Sequence, residues 1–520
     1  MVNTKRPPPR APVATLPDCT LATLKRSASL PGERKAAMLD ALVVLTDPGE
    51  ASVWKRLPEP LRWRDLHERS ARSALDWRST NLSNRRQTQA LLGYVKPKAS
   101  SFERLSFAGR LVREIAKRRP SHIGLLVSES LKDAALWYEA LLSAVWTESF
   151  ALPEFRSDPP APWRLQSVEI YAATALPIDR IAASARAGNL VRALTALPPN
   201  LLDARAYRRL LGALARRHAL RLRWYSEAHL KRLGAGAFLA VTRGNAARHA
   251  GIAHLRWEGG RRPRSARGRA PDVALVGKGI LFDTGGVNLK PHRSMLDMHT
   301  DMAGSAVALA CLVALAELKA GLNADAWLAI SENNMGPTAY RPQELVRASN
   351  GVTIQVIHTD AEGRMVLADT LALAARTRPR LTIDFATLTG ACVHALTERY
   401  SGVFTNRAEL AESLVAAGRA SGERVWNFPM DEDFDSDLDS KVADIVQCAV
   451  EGRGDHILAA RFLQRFIGDL PWVHVDLSSA TRRGGLGHVG TEITGFGVRW
   501  TLELLLAQKL YTHVYASSPT

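Results

Sequence analysis

Cysteine is scarce in this sequence. Its 520 residues include four, Cys19, Cys311, Cys392 and Cys448, far apart and without a Cys-x-x-Cys pair or a Cys/His cluster. That spacing excludes a disulfide framework and a thiolate zinc site, and it fits a reducing, cytoplasmic compartment. Long apolar runs are also missing, since no uninterrupted stretch reaches the ~20 residues of a membrane helix. The first residues, MVNTKRPPPRAP, are basic but lead into no apolar segment, so no secretory signal is expected. Asp18 and Glu33 weaken a transit-peptide reading. Hydrophobic residues at 46% and charged residues at 23% are ordinary for a folded chain, which excludes wholesale disorder. At about 100–200 residues per domain, the length suggests about two to four domains.

What is not scarce is positive charge. The net charge is +18, and the first class it brings to mind is nucleic-acid binding. Its distribution matters more than its total. Residues 201–270 hold 17 basic and 3 acidic side chains, and residues 51–100 hold 11 and 4. Residues 271–520 hold 22 basic and 29 acidic side chains, so the C-terminal half is acidic.

Apolar patterning organises the chain. Residues 1–35, rich in Pro, Arg, Ser and Thr, read as a loose arm. Residues 36–175 read as a small α/β domain, with strands at ALVVLTD (41–47), HIGLLVS (122–128) and LQSVEIYAA (165–173). Helices are expected at 104–119 and 131–146. A long helix at 178–197, stopped by Pro198 and Pro199, bridges the domains within a 176–200 linker. From 201 to 520 the α/β alternation resumes as a larger, catalytic domain with a mixed, helix-covered sheet. GAFLAVTRG (236–244) reads as a strand there, 259–272 as an exposed loop, and VALVGKGILFD (273–283) as a buried strand.

Two stretches carry chemistry. VGKGILFDTGGVNLKPHRSMLDMHTD (276–301) holds Lys278, Asp283, Lys290 and Asp301 around a Thr-Gly-Gly turn. HTDAEGRMVLAD (358–369) sets Asp360, Glu362 and Arg364 at alternate positions. In an extended or loop segment alternate residues point the same way, so two carboxylates and a guanidinium are expected to converge. Four carboxylates near one strand end make a site for hard divalent cations, because their repulsion must be neutralised. Glycines at 277, 279, 285, 286 and 363 permit close backbone approach and positive φ.

Both stretches resemble the leucine aminopeptidase (cytosol aminopeptidase) family of two-metal exopeptidases. That family's Asn-Thr-Asp-Ala-Glu-Gly-Arg signature stands here as HTDAEGR, and its Gly-Lys-Gly strand with Phe-Asp-Ser/Thr-Gly-Gly stands as GKGILFDTGG. The likeness runs from about 190 to 505 and includes LTALPPN (194–200), ENNMGPTAYRPQELV (332–346), IDFATLTGA (383–391) and WVHVDLSS (472–479). The first 180 residues match weakly.

The resemblance implies two divalent ions per subunit, zinc or manganese. Lys278, Asp283, Asp301 and Glu362 match the ligands of the tighter site, with Lys278 binding as a neutral amine. Asp283, Asp360 and Glu362 match the exchangeable site, to which the Asp360 carbonyl also contributes. Asp283 and Glu362 would bridge two ions ~3–4 Å apart that share and acidify one water. Lys290 matches the catalytic lysine that stabilises the oxyanion. Arg364 matches the arginine that holds bicarbonate, the general base. The substrate's free amine would sit on the tight-site metal and Asp301, which implies peptides with a free N-terminus. Met298, Thr387, Gly390 and Ser478 match the lining of the first side-chain pocket, suited to Leu or Met. Family members assemble as hexamers.

Departures stand beside the site. His358 replaces the usual Asn, and His299 and Thr300 replace a Lys and an aromatic residue. GDHILAA (454–460) replaces a Gly-Gly-x-Ile-x-Ala pattern. None of them is expected to touch a ligand or catalytic position. Positions beside the metals, without ligation, are the reading favoured for His358 and His299, and small-hydrophobe packing is favoured for Cys392. The second class of function is a DNA-binding architectural or regulatory protein that uses the basic 201–270 surface, including Arg262, Arg264 and Arg267, alone or alongside peptidase activity. The favoured reading of that surface is a solvated arginine face, because no interleaved aromatics, helix-turn-helix or zinc finger accompany it. A degenerate, non-catalytic family member is the third reading, and the intact ligand set argues against it.

Overall fold

The computed structural model describes residues 15–48, 53–70, 76–96, 98–172, 175–260 and 270–513. Two large sheets organise them. The first has six strands in the spatial order Thr23–Ser27, Ser167–Tyr171, His122–Val127, Ala41–Thr46, Gln89–Tyr94 and Trp77–Asn81. Its neighbours run parallel except the last pair, which is antiparallel. Strand Ala41–Thr46 is buried along its whole length, as its unbroken apolar run requires of a central parallel strand. Helices Ser101–Ala116 and Ala134–Glu148 pack together beside it. The first begins on a capping box in which Ser100 and Glu103 satisfy each other's backbone donors.

The N-terminal segment departs from the expected loose arm. Thr23–Ser27 forms the edge strand of this sheet, in parallel register with Ser167–Tyr171. Its side chains are too polar to announce a strand, and the neighbouring strand edge supplies the hydrogen bonds that the local pattern does not.

The second sheet has eight strands, in the order Val425–Asn427, Ser401–Thr405, Trp472–Asp476, Leu381–Ala386, Val273–Asp283, Asn323–Asn333, Gly251–Glu258 and Arg221–Ser226. The four central strands are parallel and the flanks join them antiparallel, so the sheet is mixed as expected. Alternate residues of Val273–Asp283 feed two cores. Val273 and Leu275 face helices Ala303–Glu317 and Ala204–Arg217, whereas Ala274 and Val276 face Glu362–Ala375 and Asp455–Gln464. The span His292–Glu317 is long and apolar enough by composition to cross a membrane, yet most of it is buried inside this core.

Helix Ile178–Thr195 joins the two halves. Ile181 and Ala185 pack into the core of the six-stranded sheet, and Ala187, Leu190, Val191 and Leu194 pack into the Val273/Leu275 core of the eight-stranded sheet. Arg180 pairs with Glu503, and Arg186 with Glu317 at 2.8 Å. The strand expected at 236–244 is instead the helix Gly236–Thr242. Ala237, Phe238 and Val241 are buried at helical spacing, and the Asp369 carboxylate accepts the Phe238 N–H at 2.8 Å in the first turn. That cap satisfies a helix-terminal donor which sequence periodicity cannot reveal. Arg262, Arg264 and Arg267 lie outside the described residues.

Candidate metal centre

The site assembles at the carboxyl end of the central parallel strands. Lys278 stands inside strand Val273–Asp283 and Asp283 at its end. Asp301 precedes the buried helix Ala303–Glu317, and Glu362 opens helix Glu362–Ala375. Asp283, Asp301 and Glu362 each offer an oxygen within 4.8 Å of the others, and all three are buried. Lys278 Nζ lies 2.8 Å from both Asp301 and Glu362 and donates to the Thr387 carbonyl at 2.9 Å. Lys290 Nζ lies 3.0 Å from Asp283 and 2.5 Å from Asp360.

Two turns hold this geometry. In the Thr-Gly-Gly turn, Gly285 has φ +86°, and a Cβ there would meet the Asn288 carbonyl at 2.5 Å, so only glycine fits. Thr359 ties that turn to the HTD turn. Its hydroxyl donates to the Gly285 carbonyl at 2.6 Å and accepts from the Asn288 N–H at 2.8 Å. Asn333 donates to Asp283 Oδ1 at 2.8 Å and to the Thr359 carbonyl at 3.1 Å, and the buried Tyr340 hydroxyl donates to the same carbonyl. Asn288, Asn333, Tyr340 and Thr359 were not singled out from the sequence. Uncharged residues in the quoted motifs, they carry no separate signal of a positioning role.

The electrostatics show an excess of buried negative charge. Burial, and then the Asp283 charge, push the Glu362 carboxyl up to about 8. Burial does the same to Asp301, up to about 6, and raises Asp360. Burial opposes the charge on Lys278 and Lys290, but the surrounding carboxylates outweigh it and hold both ammonium groups protonated. Two lysines face four carboxylates, and apart from the Lys278 ammonium at 2.8 Å from Oε1 the Glu362 oxygens have no hydrogen-bond partner among the described residues. Such an oxygen-rich, under-neutralised, buried cluster fits divalent cations. In the metal-free protein Lys278 is an ammonium paired to its neighbours, so ligation by its amine requires the metal to displace a proton.

Other expected residues fall into place differently. Asp360, Glu362 and Arg364 do not share an extended segment: Asp360 lies in a turn, and Glu362 and Arg364 begin a helix. Arg364 is engaged by residues of other segments. Its Nη2 reaches both oxygens of Asp455 at 2.8 Å, and Nη1 donates to the Gln447 carbonyl at 3.3 Å. This corrects the expectation for GDHILAA, because one of its residues contacts the arginine of the signature. His358 Nδ1 accepts the Asp360 N–H at 3.2 Å, and neither His358 nor His299 joins the carboxylate cluster.

Of the four pocket positions, Met298 lies half-buried in the turn before Asp301, and Gly390 is exposed at the start of helix Gly390–Leu396. Thr387 donates to Asp301 Oδ1 at 2.6 Å, which ties it to the carboxylates. Ser478 is buried with Oγ 3.1 Å from Cys392 Sγ. Burial pushes the Cys392 thiol up to about 12, so it behaves as a packed, inert group.

Comparison with known proteins agrees with this geometry. The sequence model of the cytosol aminopeptidase family, catalytic domain, matches residues 189–502. A probable cytosol aminopeptidase of Ehrlichia ruminantium (strain Gardel) is 39% identical over 318 residues, 60% of this chain and 61% of that protein. One of Syntrophotalea carbinolica is 36% identical over 410 residues, 76% of this chain and 80% of the relative. The matches to the first curated relatives span about half to three fifths of those proteins. Among solved structures, a bottromycin maturation enzyme in complex with Mn is 31% identical, with TM-score 0.76 over 90% of this chain and 99% of that one. A mutant of tomato leucine aminopeptidase is 26% identical, with TM-score 0.79 over 95% and 97%. With three fifths of its length matched by the family's catalytic domain, and with buried carboxylates gathered where that match lies, this chain belongs to the cytosol aminopeptidase family.

Proposed function

We propose that this protein is a metal-dependent aminopeptidase that releases N-terminal, preferably apolar, residues such as Leu and Met from peptides. The observation that carries the reading is the buried cluster of Asp283, Asp301 and Glu362, flanked by Lys278, Lys290 and Asp360. Asp283, Asp301 and Glu362, with the Lys278 amine, would hold one divalent ion. Asp283, Asp360 and Glu362 would hold a second, zinc or manganese in either place. Bound there, two such ions supply an acidified water and a polarised scissile carbonyl.

The chain's own groups do the rest. Asp301 accepts a hydrogen bond from the substrate's terminal amine, which selects free N-termini. Lys290 lies at the cluster's more open side, 14% exposed beside Asp360 at 27%. From there its ammonium donates to the oxyanion as the carbonyl becomes tetrahedral. Met298 and Gly390 would border the first side chain and favour an apolar one. Family likeness is also the ground for proposing a homohexamer, which light scattering tests. The unpaired cysteines agree with a reducing, cytoplasmic setting.

The test is hydrolysis of leucine amide by protein loaded with zinc or manganese, and its loss on adding a chelator. A metal-loaded sample that turns over no free-amine substrate overturns the reading. Asp360→Ala is expected to lower kcat/KM by at least about 100-fold with unchanged circular dichroism; retained activity would mean that the second ion is misassigned.

A further inference from the structure

The anion expected on Arg364 meets an obstacle in this chain. Arg364 is 2% exposed, and its strongest partner is the side chain of Asp455, both of whose oxygens lie 2.8 Å from Nη2. The second amino group is directed at the Gln447 carbonyl. Only Nε is left without a partner among the described residues. Asp455 is held there by its own element. It opens the ten-residue helix Asp455–Gln464, after Gly454 in the left-handed conformation (φ +62°) turns the chain. A carboxylate in the first turn is favoured by the helix dipole as well as by the guanidinium. A bicarbonate ion approaching Arg364 would have to displace a covalently tethered carboxylate from a buried charge. The residues around Arg364 do not fit a free anion.

We propose that Asp455 fills the anion seat on Arg364, so that this protein needs no bicarbonate. Asp455 is then a positioning residue that acts through Arg364, not a group that touches substrate. Tethering gives the carboxylate a local concentration that dissolved bicarbonate does not match. The pair is 24% exposed on the Asp455 side, so removing that side chain opens the seat to ions from solution. The inference rests on the aminopeptidase reading for its kinetic consequence, but not for its binding consequence.

The experiment compares wild type, Asp455→Gly and Asp455→Asn in carbon-dioxide-depleted buffer, with and without added bicarbonate. Two readouts are taken: thermal midpoint, and kcat/KM for leucine amide. Wild type is expected to show no bicarbonate-dependent rise in midpoint and less than about a twofold change in rate. Asp455→Gly is expected to melt higher as bicarbonate is added. Its rate should fall at least about tenfold in depleted buffer and recover with bicarbonate.

Asp455→Asn keeps the volume without the charge, and it decides the matter if the glycine variant fails to fold: its rate should fall and bicarbonate should not restore it. Bicarbonate that stabilises or activates wild type overturns the proposal. So does an Asp455→Gly protein that is fully active in depleted buffer and indifferent to bicarbonate. If no variant turns over substrate while Asp455→Gly still gains bicarbonate-dependent stability, the seat assignment stands and the aminopeptidase reading fails.

Discussion

At the scale of single residues the site depends on room as much as on charge. Lys278 is 3% exposed and lies against Gly363, where a Cβ would meet its Cε and Nζ at 2.7 Å. An added methyl would push the tip of the lysine from its place 2.8 Å from Asp301 and Glu362. Gly363→Ala is therefore expected to weaken metal binding about 10–100-fold, with little change in secondary structure. Metal retained after dialysis against graded chelator concentrations measures it, and wild-type retention would show that Lys278 can move without loss. The carboxylates and lysines were legible in the sequence because charge clustering at fixed spacing is visible in one dimension. The Arg364–Asp455 contact was not, since its partners lie 91 residues apart and Asp455 reads locally as a helix-start residue.

At the scale of elements, helix ends are held by distant side chains. Glu423 is half-buried and accepts the N–H groups of Gly497 and Trp500, at 3.0 and 2.8 Å, around the start of helix Val498–Leu502. Burial pushes its carboxyl up to about 7 from an ordinary value near 4.5. The folded state thus binds this proton more tightly than the unfolded state. Its stabilising effect is complete below about 4.5 and is lost as pH rises to about 7. Glu423→Gln keeps an acceptor and removes the titration. Unfolding free energies from urea titrations across that window should fall less with pH in the variant, by about 3 kcal/mol over the whole interval. Equal slopes would place the titration elsewhere. The same principle explains the helix Gly236–Thr242: the Asp369 cap on Phe238 comes from 131 residues away, whereas Ala, Val and Phe in a short run are ambiguous between helix and strand.

At the scale of the whole molecule, charge and chemistry are separated. Helix Ala204–Arg217 buries Tyr207, Leu210, Leu211 and Leu214 and exposes Arg205, Arg208, Arg209, Arg216 and Arg217. Part of this basic band is engaged locally: Arg208 lies over Trp224, Arg223 lies over Tyr225, and Arg221 pairs with Glu258. The carboxylates belong to other elements at the end of the central strands. Neutralising Arg262, Arg264 and Arg267 to glutamine is expected to leave kcat/KM for leucine amide within about twofold, because their Gly-, Pro- and Arg-rich run reads from its sequence as a solvated segment and salt screens such charges over about 10 Å. A large loss would tie that loop to catalysis. A gel shift that does not respond to the same change would count against a nucleic-acid surface there.

The sequence by itself determined the metal-binding chemistry and the α/β alternation. Both are written in local order, as apolar periodicity and as charged residues at short spacings around glycine turns. It also placed the helix Ile178–Thr195, whose pattern and proline stop are self-contained. Only the tertiary structure decided that Thr23–Ser27 is a sheet edge, that 236–242 is a helix, and that Arg364 faces Asp455. Each of these outcomes turns on a partner far away in the chain: a strand edge, a capping carboxylate, a tethered anion. A hydrogen bond or ion pair is made by whatever the fold brings within about 3 Å, and that adjacency is set by packing rather than by the residues on either side.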